Sequence, residues 1–292
     1  MLKILAKILA ALIVLVVLIA VFNQAKIRDV LAQMELLDYE LRSPGVPLPS
    51  SLLPDDAQWL ELFDGKSLEG WTPKFTHHKI GKNLNDTFRA ENGVLSVNFD
   101  NWESFDGQYG HLFYQQPFSR YVLQMEYRFV GNQVANPGLF MGWAIRNNGA
   151  MLHSQEPSTM TLDQDFPVSI EAQLLGGLGD GVVRQTANLC TPGTHIVING
   201  KLHKGHCTYS VSPTFDGDQW VKAEFEVLGS DRIRHFINGE LVMEYTDLQY
   251  DALSPDVEAL GAGHSGMLSA GYIAIQAESH PTQFRNIRVH AF

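Results

Sequence analysis

The segment Val168-Ser169-Ile170-Glu171-Ala172-Gln173-Leu174-Leu175 alternates apolar and polar residues and is followed by two glycines. Because successive side chains of a β-strand point to opposite faces, this alternation predicts a half-buried strand. Glu171 and Gln173 would project in parallel about 7 Å apart, which suits contacts to a sugar ring. A solvated outer face without a role is the alternative interpretation.

The rest of the chain after Trp59 shows the same strand pattern. Asn238-Gly239 is a two-residue hairpin signal, and 25 glycines and 13 prolines suit a turn-rich chain without long helices. Many short strands without helices predict an all-β sandwich or jelly roll of two antiparallel sheets. The predicted strands are 93–97, 111–114, 121–130, 150–155, 168–175, 220–228, 232–237, 240–245, 271–276 and 284–289.

The amino terminus predicts a membrane anchor. An apolar run over residues 4–22, interrupted by Lys7, is about long enough to cross a bilayer. The small residues that a signal peptidase needs are poorly spaced, so an uncleaved anchor is favoured over a cleaved signal. The basic residues Lys3 and Lys7 would stay in the cytoplasm, and the remainder would be exported to the periplasm or cell surface.

Three regions follow from this organisation. Residues 1–25 form the anchor or signal segment, and residues 26–58 form a juxtamembrane helix and a proline-containing linker. Residues 59–292 form the β domain. The net charge of −11 over 292 residues argues against a nucleic-acid partner, because phosphate binding needs basic patches.

The two cysteines, Cys190 and Cys207, are the whole complement of the chain. In an exported domain such a pair predicts one disulfide bond, with two buried free thiols as the alternative. Metal binding by the pair is disfavoured because the spacing is not Cys-x-x-Cys.

Six stretches of the sequence together carry a family resemblance: 62–71, 88–95, 126–129, 170–175, 271–276 and 284–287. They resemble the motifs of the 3-keto-disaccharide hydrolases and lie in the order typical of that family. The resemblance extends over about 59–292. It implies a concanavalin A-like jelly roll with a cleft on the concave sheet, and lyase or hydratase activity on glucosides oxidised at the sugar C3. The chain departs from the family near its end, where His280 comes later than the family's histidine.

The chemistry implied by this resemblance needs a base and an acid. A ketone at C3 acidifies the C2 hydrogen, so that a base can remove it while the C1 oxygen leaves as an alcohol; water then adds back. We expect Glu171 to be the base and His153 the acid, with Glu126 as a second carboxylate that catalyses or binds a sugar hydroxyl. Structural pairing of each side chain is the alternative. The enzyme interpretation requires that acidic, amide and imidazole groups from separate β segments meet on the hollow side of one curved sheet.

Other polar residues on the predicted strands and their ends are candidates for substrate binding. Arg146 could stabilise an enolate, although an ion pair with Glu126 or Glu171 is the alternative. The substrate-binding candidates are Gln173, Arg146, Asn147, His111 and Gln276.

No cofactor is required by this chemistry, but a divalent cation is an option. His77, His78 and His111 could bind one together with a carboxylate. No ligand spacing supports such a site, so no metal ligand is assigned.

The sequence therefore favours an exported enzyme that cleaves 3-keto-glucosides by elimination and hydration. Two alternatives stay open. One is a lectin-like module that binds carbohydrate without turnover, and the other is an ordinary glycoside hydrolase that uses two carboxylates.

Overall fold

The computed structural model describes residues 48–136, 141–261 and 263–292. These residues form seventeen strands, four short 3-10 helices and one short α-helix, α1 (Pro255–Leu260). The strands are β1 (Leu60–Glu61), β2 (Trp71–Phe75), β3 (Phe88–Glu91), β4 (Val94–Val97), β5 (Gly110–Tyr114), β6 (Arg120–Phe129), β7 (Asn147–Ser154), β8 (Ile170–Leu175), β9 (Asn188–Cys190), β10 (Thr194–Ile198), β11 (Lys201–His203), β12 (Cys207–Thr208), β13 (Val221–Leu228), β14 (Arg232–Ile237), β15 (Glu240–Tyr250), β16 (Tyr272–Ala277) and β17 (Thr282–Ala291).

The strands are arranged in two antiparallel sheets. The ten-stranded sheet has the order β11-β10-β15-β14-β13-β6-β17-β4-β3, with β1 added beside β17. The seven-stranded sheet has the order β12-β9-β8-β7-β16-β5-β2. Consecutive segments of chain cross between the sheets, so neighbours such as β7 and β16 are far apart in sequence. The position of a side chain beside another is therefore set by long-range pairing.

The core lies between the two sheets and takes every second residue of each strand. Leu123 and Phe225 come from the ten-stranded sheet, and Ile170, Leu152 and Ile275 come from the seven-stranded sheet. Burial of one such side chain stabilises the fold by about 1.5–3 kcal/mol. The predicted all-β class with two antiparallel sheets is confirmed.

The ten predicted strands all coincide with observed ones, although their bounds differ by a few residues. Seven further strands, β1 to β3 and β9 to β12, were not predicted. All of them have five residues or fewer, too short for a clear alternation of apolar and polar side chains. β2 also contains Pro73, which an edge strand tolerates because one side of it needs no hydrogen-bond donors.

The disulfide prediction is confirmed. Cys190 in β9 is bonded to Cys207 in β12, and the two residues are directly paired across these antiparallel strands. The bond therefore fastens the edge strand β12 to the seven-stranded sheet.

Over the residues that the structure describes, no helix has the length and apolar character needed to cross a bilayer. The predicted anchor at residues 4–22 and the predicted juxtamembrane helix lie outside these residues.

Candidate active site

A row of polar residues crosses the face of the seven-stranded sheet that points away from the core, which we call the polar face. Lys74 in β2 pairs with His111 in β5, and His111 pairs with Gln276 in β16. Gln276 directly follows Ile275, the partner of Ala150 in β7, so Gly149 comes next in the row. The row then continues through Gln173 in β8 to Asn188 in β9. Five long-range pairings thus assemble residues from six strands.

Glu171 lies on the polar face next to this row. Its neighbours across the sheet are Met151 in β7 and Cys190 in β9. The Oε1 atom lies only 2.4 Å from the position that a Cβ atom on Gly149 would occupy, so the absence of a side chain at Gly149 leaves room for the carboxyl group. Glu171 is 6% exposed, and this burial raises its pKa to about 8 because the charged form loses hydration.

Glu278 is a second carboxyl group on this face, and the strand pattern in the sequence did not single it out. It directly follows β16, two residues after Gln276, and is 3% exposed. Burial raises its pKa well above the usual value, and the negative charge of Glu171 raises it further. Continued alternation from Gln276 to Glu278 was the available signal in the sequence.

Two members of the row have buried polar atoms without a partner. Both ring nitrogens of His111 lack a hydrogen-bond partner within the described part of the chain, and so does the Oε1 atom of Gln276. Buried polar groups are nearly always satisfied by protein, water or ligand. Burial, with a contribution from Lys74, lowers the pKa of His111 to about 3, so its imidazole is neutral and can both donate and accept a hydrogen bond.

An apolar cluster occupies the polar face beyond Glu171. Phe113, Met151 and Ala274 form its base on the sheet, and Met160 and Phe166 pack against them. The Phe166 ring contacts His111 edge-on, with ring centroids 6.0 Å apart. The segment containing Phe166 therefore forms a wall on one side of the polar row.

The prediction that His153 joins Glu171 is wrong. His153 points into the core, where its ring meets Tyr121 edge-on and its Nε2 atom lies 3.0 Å from the carbonyl oxygen of Gly229. The β7–β16 pairing shifts register at this point and His153 has φ of +48°, so the alternation of faces is broken. Burial lowers the pKa of His153 to about 4, although the Gly229 contact opposes this shift.

The prediction that Glu126 joins the site is also wrong. Glu126 belongs to β6 of the ten-stranded sheet, where it accepts hydrogen bonds from Arg285 at 2.6 and 2.9 Å and from Asn286 at 2.7 Å. Burial opposes ionisation, but these hydrogen bonds outweigh it and lower the pKa of Glu126. A sequence pattern predicts a polar face without telling which sheet the strand joins.

Two substrate-binding candidates, Arg146 and Asn147, lie where β7 begins, but their side chains have different surroundings. Asn147 lies on the polar face, and its buried Oδ1 atom has no hydrogen-bond partner among the residues described. The Arg146 guanidinium instead hydrogen-bonds the carbonyl oxygen of Gly217, lies 3.4 Å from Asp218 and stacks over Phe129. Arg146 therefore pairs with neither Glu126 nor Glu171.

His280 lies in the same region as Arg146, away from the polar row. Its ring meets Phe129 edge-on with centroids 5.8 Å apart, and Ser279 with φ of +78° separates it from Glu278. Burial and the nearby Arg146 and Arg184 lower its pKa to about 4. The role of the histidine that family members carry near the end of the domain therefore cannot be transferred to His280 from its position in the sequence alone.

The histidines considered for a cation do not converge. His77 lies 2.7 Å from Asp163 and His78 lies 2.9 Å from Gln108, whereas His111 is buried in the polar row. Throughout the described ranges, no group of three or more histidine, cysteine, aspartate or glutamate side chains is arranged to hold a metal ion.

A cavity of about 620 Å³ lies next to the wall that Phe166 forms. Its lining is rich in polar groups, including four aspartates, a lysine and two histidines. These lining residues are Asp163, Asp165, Asp251, Asp256, Lys204, His195 and His206. The nearby Asp165 and burial raise the pKa of Asp256, with burial the larger effect.

Comparisons with solved structures give weak likenesses. A Parabacteroides distasonis protein provisionally described as a glycosyl hydrolase is 16% identical, with a TM-score of 0.45 and coverage of 80% of this chain and 94% of that one. Bacillus licheniformis β-glucanase is 12% identical, with a TM-score of 0.42 and coverage of 82% and 100%. The carbohydrate-binding module CBM66 from Bacillus subtilis is 12% identical, with a TM-score of 0.41 and coverage of 76% and 96%. These scores are too low to carry an argument about function.

Comparison with curated proteins gave no significant match. By contrast, a family model described as the 3-keto-alpha-glucoside-1,2-lyase-like domain matches residues 58–290. This match covers most of the chain and includes both sheets and the whole polar row. It supports a carbohydrate-active function and agrees with the resemblance seen in the sequence motifs. The chain belongs to the 3-keto-alpha-glucoside-1,2-lyase-like domain family.

Proposed function

We propose that this protein cleaves the glycosidic bond of 3-keto-glucosides by elimination across C1 and C2, followed by hydration. The observation that carries the proposal is the position of Glu171. Its carboxyl group is buried over Gly149, next to a row of amide and imidazole groups in which His111 and Gln276 have polar atoms without partners among the described residues. Membership of the 3-keto-alpha-glucoside-1,2-lyase-like domain family supports this choice of substrate class.

Glu171 serves as the base that removes the C2 proton. A carboxylate with a pKa raised to about 8 is a stronger base, once ionised, than an exposed glutamate. At pH 7 about one tenth of such groups is ionised, which is enough to sustain turnover. The reaction needs no nucleophilic serine or cysteine.

The polar row holds the sugar and its developing enolate. Neutral His111 can donate a hydrogen bond to the C3 oxygen as negative charge develops there. Gln173, which is only partly buried, and Asn147 offer amide groups to sugar hydroxyls. Removal of one donor to an oxyanion typically lowers kcat by about 10²–10³.

The direct test is a cleavage assay with a 3-keto-disaccharide and its unoxidised parent. Wild-type protein is expected to cleave only the oxidised sugar, because only the ketone acidifies C2. Glu171→Gln is expected to abolish cleavage while the melting temperature at pH 6 does not fall. Glu240→Gln, at an exposed glutamate of β15, is the matched control and should retain full activity.

Cleavage of both sugars would favour an ordinary glycoside hydrolase instead. Undiminished activity of Glu171→Gln on the oxidised sugar would contradict the assignment of the base. Both outcomes are read from the same assay. Repeating it with and without chelator tests whether a divalent cation takes part.

A lectin-like module is the second candidate, and the cavity of about 620 Å³ favours it because binding there would not involve Glu171. Calorimetric titration with unoxidised saccharides separates the two functions. Binding that is lost in Asp251→Asn and kept in Glu171→Gln, without turnover of any 3-keto-glucoside, would support the lectin function.

We further propose that the domain is exported and anchored by residues 4–22. The Cys190–Cys207 disulfide supports an oxidising compartment, where such bonds persist. Fractionation of cells that express the full chain, combined with protease treatment from outside, tests this. A soluble cytoplasmic protein with reduced cysteines would contradict it.

A further inference from the structure

The polar face has a second buried carboxyl group besides Glu171, and neither sequence candidate for the acid lies on that face. His153 is turned into the core and Glu126 is bound by Arg285 on the other sheet. Elimination of an alkyl or sugar leaving group needs an acid, because an alkoxide is a poor leaving group. The acid must therefore come from another residue of the site.

Glu278 has the position that such an acid needs. Alternation along β16 places it on the same face as Gln276, and it is close enough to Glu171 for the two charges to interact. The residues on either side of it are fixed. Ala277, before it, pairs with Gly110 in β5, and Ser279, after it, is held by two hydrogen bonds. Backbone nitrogen of Val134 donates to the carbonyl oxygen of Ser279, and the Gln133 amide donates to the Ser279 hydroxyl. Glu278 is therefore held at the edge of the row.

From this geometry we propose that Glu278 is the general acid that protonates the leaving-group oxygen at C1 while Glu171 removes the proton at C2. The inference rests on the proposed function. It assigns the two proton transfers to two carboxyl groups of one sheet face.

The protonation states follow from the surroundings of the two groups. Both carboxyl groups are buried, so each resists ionisation, and once one has ionised its charge makes ionisation of the other harder. After the first ionisation the pair therefore keeps one proton. The proposal assigns the ionised form to Glu171, which removes the C2 proton, and the retained proton to Glu278.

The steps balance in atoms and charge. Ionised Glu171 takes the C2 proton, and the electron pair of that bond forms the enolate of the C3 ketone. The enolate then reforms the ketone and expels the C1 oxygen, which takes the proton of Glu278 and leaves as an alcohol. The products are a 1,2-unsaturated 3-keto sugar, protonated Glu171 and ionised Glu278.

Hydration reverses the roles. Ionised Glu278 removes a proton from water as the water oxygen bonds to C1, and Glu171 returns its proton to C2. Both residues end in their starting states. The net reaction is hydrolysis, with no oxidant, reductant or other co-reactant.

A series of 3-keto-glucosides with different leaving groups tests the proposal. Glu278→Gln is expected to lower kcat/KM by about 10²–10⁴ for an alkyl glucoside or disaccharide, which needs an acid. The loss for the 4-nitrophenyl glucoside should be under about tenfold, because 4-nitrophenoxide leaves without protonation. Glu171→Gln should lose activity on every member, since proton removal at C2 does not depend on the leaving group.

Three results would overturn the inference while leaving the proposed function intact. The first is an equal loss in Glu278→Gln across all leaving groups, which indicates a structural role. The second is full activity of that variant on the disaccharide. The third is a leaving-group-selective loss in Tyr109→Phe instead, because Tyr109 is a proton donor near Glu278, and burial and the charge of Glu278 raise its pKa. An inactive wild-type protein would instead refute the proposed function itself.

A measurement on wild-type protein covers the case in which Glu278→Gln does not fold. The kcat/KM for the disaccharide should fall at alkaline pH as Glu278 loses its proton. The kcat/KM for the 4-nitrophenyl glucoside should show no such fall. Identical pH profiles for the two substrates would overturn the inference without any variant.

Discussion

The carboxyl group of Glu171 occupies the space that a side chain on Gly149 would fill. Its Oε1 atom lies 2.4 Å from where a Cβ atom on Gly149 would be, closer than any real Cβ contact. The two residues belong to neighbouring strands, and Gly149 pairs with Gln173, two residues after Glu171. A side chain at position 149 would displace the carboxyl group. The glycine is thus a requirement of the site and not of a turn.

Gly149→Ala is therefore expected to lower kcat/KM for a 3-keto-disaccharide by about tenfold to a hundredfold, because a displacement of about 1 Å can cost that much. The backbone of Gly149 does not have positive φ, so alanine introduces no backbone strain there. Steady-state kinetics and thermal melting check both statements. Gly205→Ala, at a glycine near the exposed β11–β12 turn, is the control and should keep its activity.

The pH dependence of kcat/KM should report the ionisation of Glu171. Because burial raises its pKa to about 8, the active ionised form increases with pH up to that value. We expect about a tenfold decrease in kcat/KM for each pH unit below about 7. A profile whose acidic limb has a midpoint near 4.5 would contradict the assignment of Glu171 as the base.

The same shift predicts how stability changes with pH. Glu171 has a pKa of about 8 in the folded protein against 4.5 for the free group, so the folded protein keeps this proton to a higher pH than the unfolded chain does. Its contribution to stability is fully present below pH 4.5 and is lost as pH rises towards 8, by at most about 1.4 kcal/mol per pH unit.

Glu171→Gln removes this effect, because glutamine does not titrate. Wild type and variant should have similar free energies of unfolding near pH 4.5, and the variant should be the more stable at pH 8. Urea denaturation at several pH values measures the difference. If the wild type instead became more stable than the variant as pH rises from 5 to 8, the raised pKa of Glu171 would be contradicted.

Glu126→Ala tests whether Glu126 lies outside the active site. The Arg285 side chain that binds Glu126 is 40% exposed, so loss of the ion pair should lower the free energy of unfolding by no more than about 1 kcal/mol. Turnover of a 3-keto-disaccharide should be unchanged. A loss of activity without a change in stability would return Glu126 to the site.

Removal of the disulfide should cost stability and disturb Glu171. Cys190 and Cys207 are 17 residues apart, and a loop of this size is expected to contribute about 3 kcal/mol in the chain-entropy model. Cys190→Ser with Cys207→Ser should therefore shift the denaturation midpoint downward. Since Cys190 is the direct neighbour of Glu171 in the sheet, kcat/KM should also fall. Reductant should have no effect on the double variant.

The alternation rule placed some residues well and failed for others. Glu171 and Gln173 share the polar face as the pattern predicts, because no irregularity interrupts β8. His153 does not, because a register shift and a positive φ reverse its direction. Glu278 was missed because it follows the last residue of β16, where a reader of the sequence assumes that the strand has ended. An irregularity of a single residue can thus decide to which face of a sheet the following side chains point.

The sequence by itself determined the class of the fold, ten of its strands, the disulfide and the family, since these follow from local periodicity, composition and motif order. The tertiary structure alone decided which side chains meet. Glu171 and Glu278 are more than a hundred residues apart in the chain, and β16 reaches β7 only through pairing that no local pattern encodes. Their burial on one face, which raises the pKa of both, exists only once the sheet has formed.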